Sequence, residues 1–384
     1  MEFSSPVDID QFVKQRRDFH AHPELAGEEE RTSEIIARLL AGWGYQVHAG
    51  IGGHGVVGLL QREHGARCVA IRADFDALPI EEQTGLPYAS RHPGRMHACG
   101  HDGHTAILLA AACELAQHPP ADGTFAAIFQ PAEEIGRGAR AMFEDRLLER
   151  FGFDTVFGLH NIPGMATAEP GFRAGPFWAG VDNLEITLRG FGGHAGLPHL
   201  ARDPLVAGAH LVLALQTIVS RNTDPLEAAV VTVGAFNSGK ASNVIPDTAA
   251  LAVNVRSFVP HVRDLALKRI EEIARQISGA FEVEADVRRV HGTRAVLNDA
   301  AITAFARDVA GDHFGPATVQ DDIRPMSVSD DFAEFLVRRP GSYIAFGNGK
   351  DSFPLHHPRY DFNDALIAPA ASYWCRLVHR YLKN

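Results

Sequence analysis

The sequence has little cysteine and no excess of basic charge. Its 384 residues include only four cysteines, Cys68, Cys99, Cys113 and Cys375, and no two of them form a CxxC pair. A disulfide framework needs more closely spaced cysteines, so the pattern is typical of a reduced, cytoplasmic protein. There are 36 lysines and arginines against 47 aspartates and glutamates, and the net charge is -11. This balance argues against nucleic acid and against an anionic membrane as partners.

The N-terminal segment and the apolar runs give no sign of export or membrane insertion. The first ten residues carry acidic side chains at positions 2, 8 and 10 and no basic region, unlike a signal peptide. The longest apolar run, 204–219, is interrupted by Gly208, His210 and Gln216 and is shorter than the ~20 residues of a membrane span. We therefore predict a buried helix there and no membrane partner.

The length and the order of elements predict a two-domain α/β protein. Single hydrophobic cores rarely exceed ~250–300 residues, so 384 residues indicate more than one domain. In the first part, short apolar runs alternate with helices, which is typical of βαβ units and a mixed, mostly parallel sheet. The predicted strands of this part are 68–72, 125–129 and 155–159, and a helix is predicted at 103–117.

The middle of the chain has a different order of elements. Between residues 184 and 290 the patterns run strand, helix, strand, strand, helix, strand, which is the split βαβ order of a ferredoxin-like α+β domain. We expect this segment to be an insertion. The prediction is a discontinuous catalytic domain, 1–180 and 291–384, and an inserted lid or dimerisation domain, 181–290.

Polar side chains follow the predicted strands of the first part. Asp74 and Asp76 follow the first strand, Glu133-Glu134 the second, and His160 the third. Ligands of open α/β sheets bind at the carboxyl ends of strands, so these side chains are expected to meet there. The alternatives are ordinary ones: a solvated turn for the aspartates, an acidic loop for the Glu pair and a structural role for His160.

The densest group of candidate metal ligands is the segment Met96-His97-Ala98-Cys99-Gly100-His101-Asp102-Gly103-His104. Imidazole and thiolate suit zinc and related borderline metals. The alternative is a polar helix entry in which Asp102 caps the helix. In Glu133-Glu134, side chains of an extended segment would point in opposite directions, so one could bind a metal while the other faces a reacting water. His356-His357 and Gly192-Gly193-His194 remain open between surface loops and site residues.

Several segments together resemble the M20 metallopeptidase family. The likeness is greatest to its amidohydrolases of N-acyl amino acids, such as hippurate hydrolase, auxin-conjugate hydrolase and aminoacylases, and it runs from about residue 10 to the C-terminus. The segments that carry it are 16–25, 72–79, 97–104, 130–134, 158–161, 192–194, 243–247 and 355–363.

The resemblance implies a site with two divalent metal ions, Zn, Mn, Co or Ni, and a small N-acyl amino acid as substrate. It implies Glu133 as general base, Asp76 as a residue behind the metal ligands, and His194 as oxyanion stabiliser, in its own chain or across a dimer. It further implies assembly as a homodimer or homotetramer through the lid domain. The implied metal ligands are Cys99, His101, Glu134, His160 and His356, and the implied binders of the substrate carboxylate are Asn243 and Arg256.

The predicted function is metal-dependent hydrolysis of the amide bond of N-acyl amino acids. A dipeptidase or exopeptidase of the same family is one alternative. A non-catalytic metal-binding or redox-sensing protein that uses Cys99 is another, but it would need no unligated Glu133. Phe191, Ile135, Arg137 and Asp330 depart from the usual family pattern, and they leave the identity of the substrate open.

Overall fold

The computed structural model describes residues 8–62 and 64–383. Contacts between Cα atoms divide the chain into two compact units. The first runs to Gly175 and also contains Leu297–Arg324 and the chain from Asp331 onward. The second contains Pro176–Val296 and Pro325–Asp330, so residues 181–290 lie inside it.

Helices and strands alternate along most of the chain. The helices are α1 (Ile9–Ala21), α2 (Glu30–Gly42), α3 (His101–Gln117), α4 (Gly138–Glu144), α5 (Leu147–Phe151), α6 (Pro204–Leu215), α7 (Pro260–Ala280), α8 (Ala300–Phe314), α9 (Ala333–Leu336) and α10 (Ile367–Lys383). The strands are β1 (Gln46–Ile51), β2 (Gly55–Gln61), β3 (Cys68–Asp74), β4 (Thr124–Gln130), β5 (Thr155–Pro163), β6 (Pro170–Gly171), β7 (Gly175–Trp178), β8 (Gly180–Arg189), β9 (Gly193–His194), β10 (Ala229–Ser238), β11 (Val244–Ile245), β12 (Thr248–Ser257), β13 (Glu284–Thr293), β14 (Val296–Asn298) and β15 (Gly341–Gly349).

The first unit is built on a mixed sheet with strand order β1-β2-β4-β3-β5-β15-β6. The four central strands, β4, β3, β5 and β15, run parallel, whereas β1, β2 and β6 pair antiparallel at the edges. In the register of β3 and β4, Asp74 lies opposite Gln130, so both strands end at the same edge of the sheet. The prediction of an α/β fold with a mixed sheet and a parallel centre is confirmed.

Helix α3 is the core helix of the first unit. It is buried along most of its length, and it packs against α1, α10 and the sheet. A helix that is apolar nearly all round needs such surroundings. It begins at His101, because Gly100 takes the N-cap position with φ 93°, a left-handed conformation that suits glycine. Asp102 therefore lies in the first turn, and the alternative that it caps the helix is wrong.

Strand β5 is longer than its apolar run. The sequence predicts that it ends before His160, but the strand continues to Pro163, so that part of the prediction is wrong. His160 and Asn161 keep strand geometry because β5 pairs in parallel with β15 along its whole length. Polar residues inside a buried strand need partners, and these two find them within the site described below.

The second unit contains a four-stranded antiparallel sheet with order β10-β12-β8-β13. Helices α6 and α7 pack on it, and the core includes Ile186, Leu211 and Ile270, all 0% exposed. The order of elements matches the split βαβ motif. Helix α6 is buried on one side only: Leu213 is 70% exposed, and Leu205 and Val206 are exposed beside it. The prediction of a buried helix at residues 204–219 therefore holds for one side of α6 and is wrong for the other.

The same segment is apolar and long enough for a membrane span. Pro204–Asn222, 19 residues, meets the criterion by length and composition among the described residues, and 33% of its most apolar window is buried. A single helix of this kind is weak evidence, because core helices and signal sequences meet the same criterion. The buried side of α6 packs on β12 and α7, which accounts for the apolar residues on that side only.

Candidate metal centre and active site

His101 and Cys99 enter the site from the start of α3. Nδ1 of His101 lies 3.0 Å from the Asp76 carbonyl and 3.2 Å from its Oδ1, both acceptors, so this nitrogen carries the proton and donates. Nε2 then presents a lone pair, the tautomer that binds a metal. Two residues earlier, the buried Cys99 places Sγ 3.5 Å from Nε2 of His160. A thiol and two imidazoles thus converge from two elements.

His160 is oriented in the same way as His101. Its Nδ1 donates to the Asn161 carbonyl at 2.8 Å, which leaves Nε2 facing Cys99. Burial, together with the neighbouring His104, lowers the pKa of His160 well below its usual value. A neutral imidazole with an unprotonated Nε2 is the form that a metal ion needs.

Glu134 connects this group to His356. Its Oε1 lies 4.0 Å from Nε2 of His101, and its Oε2 lies 3.6 Å from Nε2 of His356. Among the described residues, His101 Nε2 and Glu134 Oε1 are buried without a hydrogen-bond partner. Unsatisfied buried polar atoms are rare, and here a nitrogen lone pair and a carboxylate oxygen face each other. A divalent cation would satisfy both atoms.

The distances define overlapping sets of ligand atoms. Among the described residues, the atoms of each set lie within 4.8 Å of one another; Cys99, Glu133 and Glu134 each occur in two sets and His101 in three. Overlap of this kind suits two neighbouring ions better than one. The sets are Cys99, His101 and His160; Asp74, His101 and His104; Cys99, Glu134 and His356; His101, Glu133 and Glu134; and Glu133, Asp330 and Asp331.

The electrostatics of the site also fit cations. Burial raises the pKa of Glu134 to about 8, with Asp76 and Asp74 adding to the effect. Burial and Glu134 raise the pKa of the Cys99 thiol well above its usual value. Burial alone would lower the pKa of His101, but Asp74 and Cys99 raise it well above normal. A bound cation would favour the unprotonated form of all three groups, which is the form in which each of them can bind it.

The structure distinguishes His356 from its neighbour His357. His356 has φ 63°, and its backbone N–H donates to the Ala98 carbonyl at 2.8 Å, which brings its ring to Glu134. His357 instead stacks on Phe353, with ring centroids 4.8 Å apart, and its Nδ1 accepts from the Arg359 N–H. Only His356 of this pair joins the candidate ligands.

Glu133 and Glu134 lie in a turn, not in the extended segment that the sequence predicts. Ala132 before them has φ 51°, a left-handed value that reverses the chain direction. Both carboxylates therefore have an oxygen near His101 instead of pointing to opposite sides. Asp76 fixes this turn as well as His101, because its Oδ2 accepts from the Glu134 N–H at 2.9 Å.

A network of buried polar residues lies behind the candidate ligands, and the sequence predicted only part of it. Asp74 Oδ1 accepts from Nδ1 of His104 at 2.6 Å, and Oδ2 accepts from Arg72 at 2.6 Å. Burial opposes ionisation, but Arg72, His101 and His104 hold the pKa of Asp74 well below its usual value. The backbone N–H of Asn161 donates to Nε2 of His104. The signal in the sequence for this network is Arg72, a charged residue in the apolar run 68–72.

The other polar residues of this region lie outside the ligand set. Asp102 forms an ion pair with Arg16 at 2.9 Å and accepts from His20 Nδ1 at 2.8 Å, which ties α3 to α1. Burial and Arg16 lower the pKa of His20, but Asp102 outweighs them and raises it to about 9. His97 is buried, neither ring nitrogen has a hydrogen-bond partner among the described residues, and burial lowers its pKa to about 4.

The predicted substrate residues lie in the second unit. His194 is in the two-residue strand β9, opposite Val244 of β11, and the Asn243 carbonyl accepts from the Ala195 N–H at 3.1 Å. His194 and Asn243 are exposed neighbours in this ribbon. Arg256 lies inside β12. Its Nε donates to Asn254 at 3.0 Å, and Nη1 donates to the Ser327 carbonyl at 3.2 Å.

Two relatives and one solved structure resemble this protein along nearly its whole length. The N-acetyl-L-cysteine deacetylase of Bacillus subtilis (strain 168) is 42% identical over 388 residues, covering 100% of this chain and 92% of the relative. The hippurate hydrolase of Campylobacter jejuni is 41% identical, covering 97% of each chain. The crystal structure of the Bacillus subtilis YXEP protein, described as a dinuclear metal binding peptidase from the M20 family, superposes with a TM-score of 0.84 at 31% identity over 98% of each chain.

The family assignment follows from a match over most of the sequence. The profile of Peptidase family M20/M25/M40 matches residues 70–380, the span that holds every candidate metal ligand. The prediction drawn from the sequence motifs is thereby confirmed. This chain belongs to peptidase family M20/M25/M40.

Proposed function

We propose that this protein is a metal-dependent amidohydrolase that cleaves the amide bond of N-acyl amino acids. The observation that carries the proposal is the meeting of His101 Nε2 and Glu134 Oε1, both buried without a hydrogen-bond partner among the described residues, beside Glu133. The two relatives reported above are named for the hydrolysis of N-acetylcysteine and of hippurate, which are both N-acyl amino acids. Their similarity extends along the full chain.

The ligand set fits two divalent ions per subunit, Zn, Mn, Co or Ni. The thiolate and imidazoles favour borderline metals, and the carboxylates widen the choice. Cations in such a site lower the pKa of a bound water and polarise a carbonyl. The residues that would hold them are Cys99, His101, Glu134, His160 and His356.

The chain's own residues supply proton transfer and orientation. Glu133 takes a proton from the attacking water and gives it to the leaving nitrogen. Asp76 keeps the His101 tautomer fixed and holds the turn that carries both glutamates. His194 donates to the oxygen of the tetrahedral intermediate. Asn243 and Arg256 bind the carboxylate of the substrate, for which a guanidinium is the best matched side chain.

We further propose that the second unit, centred on residues 181–290, acts as a lid and as the surface for a homodimer or homotetramer. Two features support this role. The exposed side of α6 presents Leu205, Val206 and Leu213. Strand β10 is at an edge of its sheet, and its Val230 is 44% exposed. Apolar side chains next to an open strand edge suit association with a second copy.

The scarcity of cysteine supports a cytoplasmic location.

A substrate screen after metal removal tests the function. Dialysis against a chelator should abolish hydrolysis of N-acetyl, N-benzoyl and indole-acetyl amino acids, and added Zn, Mn, Co or Ni should restore it. The same screen includes dipeptides. Cleavage of dipeptides alone would indicate a peptidase. Metal binding without any hydrolysis would indicate a non-catalytic metal or redox protein, and full activity in protein shown to be metal-free would contradict the proposal.

A further inference from the structure

Glu29 is a buried carboxylate whose side chain does not serve its own helix. It occupies the N-cap position of α2 and is 0% exposed, yet it makes no hydrogen bond to the first turn of that helix. The free N–H groups there are satisfied by another residue: those of Arg31 and Thr32 donate to Glu24 at 2.9 and 2.8 Å. The carboxylate of Glu29 is therefore available for a different purpose.

The Glu29 carboxylate instead binds the backbone of the turn that precedes Glu133, the proposed base. Glu29 Oε1 accepts from the backbone N–H of Ala132 at 2.8 Å, and Oε2 accepts from the Gly27 N–H at 2.7 Å. Ala132 directly precedes Glu133 and has φ 51°. A left-handed conformation is unfavourable for alanine and persists only where the surroundings impose it. The hydrogen bond from Glu29 is one such constraint.

A second carboxylate holds the same turn, because Asp76 accepts from the Glu134 N–H at 2.9 Å. A third, Asp331, accepts from the Ala139 N–H at 2.9 Å at the start of α4. The residue before Glu133 and the residue after it are thus each fixed by a buried carboxylate from a different segment. Burying a carboxylate is expensive unless its oxygens are satisfied. Burial also raises the pKa of Glu29 to about 7, so this placement costs stability.

We propose that Glu29 is a positioning residue for the reaction: it fixes the backbone at Ala132 and thereby sets the place of the Glu133 carboxylate. The inference rests on the proposed function of Glu133 as general base. The hydrogen bonds of the Glu29 side chain go to the backbone of Ala132 and Gly27, so Glu29 acts through the backbone that precedes Glu133. A general base must lie within hydrogen-bond reach of its proton, and a displacement of about 1 Å can cost ~10²-fold in rate.

The test uses the metal-loaded, full-length enzyme with two substitutions at Glu29. Glu29→Gln keeps one acceptor oxygen, whereas Glu29→Ala removes both. Glu24→Gln is the matched control, because the Glu24 side chain also accepts from two backbone N–H groups, and both belong to α2. The measurements are kcat, KM, bound metal per chain and Tm, each for an N-acyl amino acid that the wild type cleaves.

The expected result is a loss in kcat with KM and metal content preserved. Glu29→Ala should lose about 100-fold and Glu29→Gln about 10-fold in kcat, as expected for a misplaced general base. Glu24→Gln should lower Tm and leave kcat unchanged. A purely structural role of Glu29 would lower Tm like the control and leave kcat per folded, metal-loaded chain at the wild-type level, which would overturn the proposal.

A double-substitution cycle links the effect to Glu133. In a Glu133→Gln background, Glu29→Gln should cause almost no further loss, because the group that it positions is already missing. A full multiplicative loss in that background would overturn the positioning role. Wild-type kcat in Glu133→Gln alone would overturn the assignment of the base and the inference together. An inactive Glu133→Gln beside unaffected Glu29 variants would overturn the inference only.

Discussion

The candidate site residues of the two units differ in burial and in the number of bonds that fix them. In the first unit, His101 and His160 are 0% and 2% exposed, and each has its second ring nitrogen bonded to a carbonyl or carboxylate. In the second unit, His194 and Asn243 are exposed on a two-stranded ribbon. Buried, bonded side chains favour chemistry that needs fixed geometry, whereas exposed ones adapt to a substrate.

This difference in burial predicts different effects of substitutions in the two units. Changes in the first unit should affect metal content and kcat, because no alternative rotamer can replace a buried ligand or its support. Changes at the exposed residues of the second unit should leave the metals in place. The predictions below examine this division, beginning with the largest effect.

The adjacent acids of the first unit give the largest effect. Glu133→Gln should keep the fold and both metals and lower kcat by about 10²–10⁴-fold, the usual contribution of a general base. Glu134→Gln should lose metal, because its two oxygens face His101 and His356. Metal analysis and kcat on both purified variants check this. Loss of metal in Glu133→Gln with retention in Glu134→Gln would show that the two roles are exchanged.

The part of this site that the sequence predicts depends on how far apart in sequence the contacting residues are. Cys99, His101 and the Glu pair are visible as local motifs, and the structure brings them together. The left-handed Ala132 is not visible, because alanine seldom adopts that conformation and long-range bonds impose it. One of these bonds comes from Glu29, 103 residues away in sequence.

The fold shows the same limit. Element order and the parallel centre of the sheet follow from periodicity in the sequence. The continuation of β5 through His160 does not, because polar residues in a strand look like its end when their partners are unknown. The exposed side of α6 is equally hidden, since an apolar run does not reveal which face will be covered.

His194 should give the largest effect within the second unit. His194→Ala removes a donor to the oxyanion, and such a loss typically costs ~10²–10³-fold in kcat. Metal content should not change. His199→Ala, an exposed histidine of the same unit, is the control and should retain kcat.

Complementation shows which chain His194 serves. Co-expression of His194→Ala with Glu133→Ala should yield about half mixed dimers, and roughly a quarter of wild-type activity if His194 acts across a two-fold interface. Confirmed mixed dimers without recovery would show that His194 acts in its own chain or not at all.

Arg256 should affect binding more than turnover. Its two bonds, to Asn254 and to the Ser327 carbonyl, orient the guanidinium in β12. Arg256→Ala should raise KM by about 10–100-fold for substrates with a free carboxylate, which matches the loss of one charge-assisted pair. Amide or ester analogues should show little change. Arg288→Ala, an exposed arginine in the same sheet, is the control, and equal losses on both kinds of substrate would make Arg256 structural.

The smallest expected effect concerns stability in the first unit, where His20 joins α1 to Asp102 of α3. Its folded pKa of about 9 exceeds the usual 6.5, so protonation stabilises the folded chain. This contribution is complete below pH ~6.5 and is lost as the pH rises toward 9. The shift corresponds to at most ~3 kcal/mol, or several degrees in Tm.

His20→Gln replaces the imidazole by a neutral amide that still donates to Asp102. The Tm difference between wild type and His20→Gln should therefore be largest near pH 6 and shrink by pH 9, with metal at saturation throughout. His22→Gln is the matched control, because His22 is half-buried at the end of the same helix and its Nδ1 bonds the Asp18 carbonyl. A constant Tm difference across the range would show that His20 stabilises the first unit by packing and not by charge. In that case the contact between α1 and α3 at His20 distinguishes the first unit by its burial and not by its charge.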